Sequence, residues 1–215
     1  MASAEVIRES CAVNAIDVPP PRTFEATARS IGIAGRRSIY AGYSMGGRLC
    51  LRLALDQPEL VRGLVLISTS PGIVDASERA ARVVADELLA VSVERDGVDA
   101  FLERWLSQPM FASVPADAPG LSDRRRLTPD FLAACLRHLG TGTMEPMWHQ
   151  LADLTMPVML VTGRRDPKFT TIAQHMFERM HPGVAHVQLD GGHALPLEQP
   201  AVLGGLITAF ATEHG

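Results

Sequence analysis

Lysine is almost missing from this sequence: of 20 basic residues in 215, only Lys168 is not an arginine. That skew reflects base composition, so arginine abundance assigns nothing, although single positions can. Cysteine is scarce too. Cys11, Cys50 and Cys135 lie far apart with no C-x-x-C pair, which excludes a structural zinc ribbon and suits a reduced, cytoplasmic protein. The first ten residues carry Glu5, Arg8 and Glu9, so no apolar signal core forms there. No apolar run approaches the roughly 18 residues that a membrane span needs. An excess of positive charge is also lacking: the formal net charge of -4 argues against nucleic acid as the main partner. A hydrophobic fraction of 47% with 20% charged residues is ordinary for a globular enzyme or binding domain.

The chain has no internal repeat and no low-complexity linker. Short apolar runs alternate with amphipathic stretches, the pattern of a βαβ chain with a parallel sheet. Strands are expected over 11–18, 38–42, 64–68, 158–162 and 186–189, the first of them stopped by Pro19, Pro20 and Pro21. Helices are expected over 23–31, 46–55, 170–180 and 199–211. Between about 76 and 154 the strand signal disappears, and 78–91, 98–106 and 129–139 have helical spacing with charges throughout. The expected organisation is therefore a sheet core in two parts, 1–75 and 155–215, with a helical cap over 76–154.

The strongest chemical signal is Gly42-Tyr43-Ser44-Met45-Gly46, a G-x-S-x-G between a strand and a helix. Such a nucleophile elbow is a sharp, strained turn, and small residues two before and two after the serine leave room for it. The helix that follows aims its first N–H groups at the site, which favours developing negative charge; the Met45 N–H is the expected oxyanion donor. A proton-accepting histidine and an orienting acid are expected later, on loops after strands. Asp166 follows the 158–162 strand and His193 the 186–189 strand, giving the order Ser, Asp, His that this fold uses. Asp190 is a rival acid but lies three residues before the histidine, on the wrong strand.

The run Gly42–Arg48, Ser70-Pro71-Gly72-Ile73, Arg79 and Arg82, and Trp105 before Gln108-Pro109-Met110-Phe111 form one set of marks. Gly140-Thr141-Gly142 leading to Trp148, Asp166-Pro167-Lys168-Phe169 and Gly192-His193-Ala194 form another. Together they resemble the 2-succinyl-6-hydroxy-2,4-cyclohexadiene-1-carboxylate synthase (MenH) family of menaquinone biosynthesis, on the α/β-hydrolase fold. The resemblance implies a lyase: the triad takes a proton from a poly-carboxylate substrate and pyruvate leaves, with no acyl-enzyme, cofactor or metal. It also implies that Arg48, Arg82 and one of Arg124, Arg125 and Arg126, with Arg125 the choice, clamp carboxylates, while Tyr43 and Trp105 wall the pocket. Guanidinium forks suit that task because they bind carboxylates bidentately and stay charged. The expected molecule is a monomer or weak homo-oligomer, bound to neither membrane nor nucleic acid.

Two features depart from that family. Pro196 stands where relatives carry histidine. No His-Gly pair precedes Ser44, so the resemblance implies a fold shortened at its N-terminus, holding half an oxyanion hole. Two other readings stay open: a carboxylesterase or carbon–carbon-bond hydrolase with the same triad, and a non-catalytic fragment.

Overall fold

The computed structural model describes residues 5, 7–8, 11–115, 117–118 and 126–215. Helix α1 (Phe24–Gly35) leads into strand β1 (Ser38–Tyr43), helix α2 (Met45–Asp56) and strand β2 (Val61–Ile67). The cap helices α3 (Ala76–Leu106) and α4 (Pro129–Leu139) follow. The chain then forms β3 (Val158–Gly163), α5 (Pro167–Phe177), β4 (Val184–Leu189), α6 (Leu195–Glu198) and α7 (Pro200–His214). The four strands are parallel, in the order β1-β2-β3-β4, with Leu66 opposite Gly42 and Leu160, and Leu160 opposite His186.

The central strands β2 and β3 are continuous apolar runs because both of their faces are covered. On one face, Leu64, Leu66, Val158 and Leu160 pack with Leu49 and Leu53 of α2 and Met176 of α5. On the other, Val65, Ile67, Met159 and Val161 meet Leu203, Ile207 and Phe210 of α7. Strand β2 ends where Ser68 takes a φ of 44°. The chain leaves the sheet there for some 90 residues, and the cap helices occupy this excursion.

The expected strand over 11–18 is not formed. Residues 12–19 carry no regular structure. Ile16 and Val18 nonetheless pack on the core beside α1, and Asn14 donates to the Ala34 carbonyl. The apolar run that looked like a strand is a coil that seats these two side chains without a ladder partner. The three prolines that follow would leave ladder donors missing. Helix α1 runs four residues past its expected end, and α5 starts three residues early because Asp166 caps it, accepting from the Phe169 N–H at 3.3 Å. In the cap, the two expected helices 78–91 and 98–106 are merged into α3, yet Gly97 breaks the helical path with φ 83° and ψ 175°. Only glycine adopts that conformation without strain.

Candidate active site

Three turns at the carboxyl ends of β1, β3 and β4 carry the side chains expected to react. That edge is where open parallel sheets place their ligands. At the first turn, Ser44 stands at φ 50° and ψ -108°, outside the ordinary regions for a residue with a side chain. Three contacts hold it there: its N–H donates to Ile67 O at 2.8 Å, and its carbonyl accepts from the Thr69 hydroxyl at 2.7 Å and the Arg48 N–H at 3.1 Å. Gly42 is essential to the turn, since a Cβ there would sit 2.5 Å from Gly46 O. The expectation for Gly46 needs correcting. A Cβ at Gly46 meets nothing within 4 Å, whereas one at Gly47 would lie 2.8 Å from Thr69 Cβ and 2.9 Å from Gly42 O. The third position after the serine, not the second, is the closely packed one, because α2 leans on the strand through it.

His193 is buried, with Nδ1 2.7 Å from Asp166 Oδ2 and Nε2 3.3 Å from Ser44 Oγ. Asp166 divides its carboxylate: Oδ1 caps α5 and Oδ2 faces the imidazole. The structure thus brings the three expected residues into one line of proton-exchanging contacts. In such an array the imidazole removes a proton from the hydroxyl while the carboxylate fixes its tautomer. Met45 is the first residue of α2, so its N–H is among those that lack an intrahelical acceptor and can face developing charge. Asp190, the rival acid, is instead paired with Arg165 on the surface.

Aromatic rings enclose the imidazole. Phe169 lies 4.4 Å from it, Tyr43 5.4 Å and Phe111 5.8 Å, centroid to centroid. Of these, sequence reasoning chose Tyr43 and passed over Phe169 and Phe111 as site residues; phenylalanine beside the acid or in a loop looks like any core residue. Trp105 reaches the site at one remove, tilted against Phe111 at 6.1 Å and stacked on Phe101 at 5.4 Å. It lines a cavity of about 220 Å³ with Leu89, Phe101, Arg104 and Gln108.

A larger cavity of about 570 Å³ is lined by Met45, the residue after Ser44, together with Ile16, Val18, Phe131 and Arg126. Its size suits a small organic molecule. Arg124 and Arg125 lie outside the described residues; Arg126 belongs to the same run. Arg48 is buried and donates to the Leu139 carbonyl at 2.8 Å and to Met144 Sδ at 3.3 Å. Burial, and then the neighbouring charge of Arg82, push its pKa down to about 10, partly offset by Asp86. Arg82 is partly exposed on α3 and pairs with the buried Asp86, Nε to Oδ1 2.8 Å. The other oxygen, Asp86 Oδ2, has no hydrogen-bond partner among the described residues. Among those residues no group of three or more His, Cys, Asp or Glu could hold a metal ion, and no helix is long and apolar enough to cross a membrane.

The sequence model of a family described as the alpha/beta hydrolase family matches residues 11–204. The chain is 30% identical over 164 residues to a 2-succinyl-6-hydroxy-2,4-cyclohexadiene-1-carboxylate synthase of Klebsiella pneumoniae subsp. pneumoniae, covering 75% of this chain and 63% of that one. It is 35% identical over 176 residues to a Bacillus subtilis (strain 168) protein that bears the same name provisionally, covering 80% and 64%. The chain therefore spans just under two thirds of the length of these relatives. Among solved structures, MenH from S. aureus superposes with a TM-score of 0.82 at 26% identity, over 95% of this chain and 81% of that one. The enol-lactonase from Burkholderia xenovorans LB400, at 17% identity and a TM-score of 0.70, covers 91% and 76% and shares the fold.

Proposed function

Because the chain belongs to the alpha/beta hydrolase family, which its match over residues 11–204 shows, we propose that Ser44, His193 and Asp166 are its catalytic triad. We propose further that it serves the elimination of pyruvate that yields 2-succinyl-6-hydroxy-2,4-cyclohexadiene-1-carboxylate. In this reading the Ser44–His193 pair removes a proton from ring carbon of the substrate. The electron pair left behind becomes a ring double bond, the carbon–oxygen bond to the enolpyruvyl group breaks with its electron pair on oxygen, and the group departs as the enolate of pyruvate, which takes at carbon the equivalent of the proton that His193 holds. The Met45 N–H and the positive end of α2 face the charge that builds up on the way.

One observation carries the choice of a poly-carboxylate over a neutral ester. Arg48 stands one helical turn after Ser44, with its backbone N–H on the Ser44 carbonyl, and Arg82, paired with Asp86 at 2.8 Å, is near enough for its charge to lower the Arg48 pKa. Two cations against one anion leave an excess of positive charge in a partly desolvated place, which an anionic substrate relieves. The likeness in sequence to relatives named as this synthase supports the same reading. Truncating Arg48 or Arg82 to alanine is expected to lower turnover of the carboxylate substrate by roughly 10- to 100-fold each, the worth of one charge-assisted contact. Hydrolysis of p-nitrophenyl acetate, which carries no carboxylate, should change far less. Equal losses on both substrates would discard the lyase reading.

The ring of Phe169, Tyr43 and Phe111 around His193 favours a second reading, hydrolysis of an ester or carbon–carbon bond with an apolar acyl group. The same pair of arginine variants separates the two. A hydrolase would need neither guanidinium.

A further inference from the structure

We propose that Glu198 is the positioning residue of the histidine loop: its carboxylate holds the peptide groups on both sides of His193 and thereby sets the aim of the imidazole at Ser44. The inference rests on His193 acting as the base of Ser44, and on nothing about the substrate.

The Glu198 side chain is 2% exposed. Its Oε2 accepts the Gly192 N–H at 2.7 Å and its Oε1 accepts the Ala194 N–H at 3.0 Å. These are the residues immediately before and after His193. The reach is made by the short helix α6, which turns the chain back on itself: Ala194 O accepts the N–H of Leu197 at 2.8 Å and of Glu198 at 3.0 Å. Gly192 is fitted to this carboxylate, since a Cβ there would lie 3.1 and 3.3 Å from its two oxygens and 2.4 Å from Ser113 Oγ. A carboxylate removed from water must be compensated by donors. Among the described residues the cation that pairs with it is the half-exposed Arg165, at 3.8 Å and already paired with Asp190. The close contacts of this buried charge are thus the two N–H groups that bracket the histidine.

The remaining ties of the loop explain why such a bracket matters. Arg164 N–H donates to Leu189 O at 2.9 Å and Arg165 N–H to Gly191 O at 2.8 Å, which joins the acid loop to the histidine loop. Gly163 permits that approach, because a Cβ there would sit 2.1 Å from Gly192 O. Both ties lie before His193. Asp166 holds one ring nitrogen and the aromatic rings enclose the imidazole, but none of these contacts fixes the backbone that follows His193. Glu198 fixes the backbone on the far side as well. With Nε2 already 3.3 Å from Ser44 Oγ, little displacement is tolerable before proton transfer fails.

The test compares Glu198→Gln and Glu198→Ala with the unaltered chain. The first readout is the rate at which Ser44 reacts with a fluorophosphonate probe, which needs the histidine and no natural substrate. The second is kcat against KM on the carboxylate substrate, with melting temperature alongside. Glutamine keeps the volume and one acceptor oxygen; alanine keeps neither. Labelling is expected to slow about 10-fold in Glu198→Gln and about 100-fold in Glu198→Ala, the scale set by a misplacement near 1 Å. In both, kcat should fall in step while KM holds. Should the folded variants label at the unaltered rate and only melt earlier, Glu198 is a structural residue and the proposal is wrong. If Glu198→Ala fails to fold, the Gln variant decides alone by the same rates. An unaltered chain that does not label at all overturns the triad itself, an outcome distinct from a failure confined to Glu198.

Discussion

At the scale of single residues, the site depends on side chains that do two things at once. Asp166 caps α5 with one oxygen and faces His193 with the other. Asp166→Asn separates these roles, because an asparagine oxygen still caps a helix while its amide presents the wrong partner to the imidazole. The expected outcome is a melting temperature close to that of the unaltered chain with turnover reduced about 10³- to 10⁴-fold. Loss of stability without loss of turnover would reverse the assignment. Ser44 and His193 should behave as a single device. Ser44→Ala and His193→Ala are each expected to remove nearly all activity, and the double variant to be little worse, when measured by single-turnover kinetics. Losses that multiply would mean two independent contributions. The elbow offers a contrast of its own: Gly46→Ala finds open space, whereas Gly47→Ala drives a methyl into Thr69 and the Gly42 carbonyl. Denaturant titration should place the Gly47 variant about 1–3 kcal/mol below the Gly46 variant.

Elements decide where those residues stand. Ser44, Asp166 and His193 follow β1, β3 and β4, and because these strands are parallel all three reach one edge of the sheet. The helix that follows each strand fixes its turn: α2 leans on β1 and on Thr69, just past β2, through Gly47, and α5 is capped by the acid itself. The cap depends on Gly97. Its φ of 83° with ψ of 175° lets α3 change direction between the segment that carries Arg82 and Asp86 and the segment that carries Trp105. A Cβ at Gly97 meets nothing within 4 Å, so any penalty for Gly97→Ala is one of backbone strain, about 1–3 kcal/mol. That variant should shift the unfolding midpoint by this amount. No shift would show that α3 straightens without cost.

On the scale of the whole molecule, stability and chemistry reside in different layers. Leu160 is fully buried in β3, packed with α2 and α5 and remote in role from proton transfer. Leu160→Ala should cost about 2–5 kcal/mol, lowering the melting temperature by roughly 2–4 °C for each kcal/mol in a chain of this size. Below the melting range its kcat should match the unaltered chain. A large fall in kcat there would mean that the core and the catalytic edge are coupled more tightly than three separate turns imply.

What the sequence determined by itself were the features written in local pattern. The strands β1 to β4, helices α2 and α4, and the order of Ser44, Asp166 and His193 all follow from apolar runs punctuated by turn residues, whose physical causes are confined to a few neighbours. Tertiary structure alone decided the rest, because the deciding partners are distant in the chain. Residues 11–18 are apolar enough for a strand, yet they form none and seat Ile16 and Val18 on the core as coil, an outcome set by contacts distant in the chain. Gly47 is packed tightly because Thr69, 22 positions on, approaches it. Arg48 was expected to clamp a carboxylate; that its N–H donates to Leu139 O, 91 residues away, and that burial lowers its pKa, were decided by the tertiary structure. Glu198 is an ordinary letter in the sequence. It becomes a partner of His193 only when a one-turn helix folds it back onto the loop it follows.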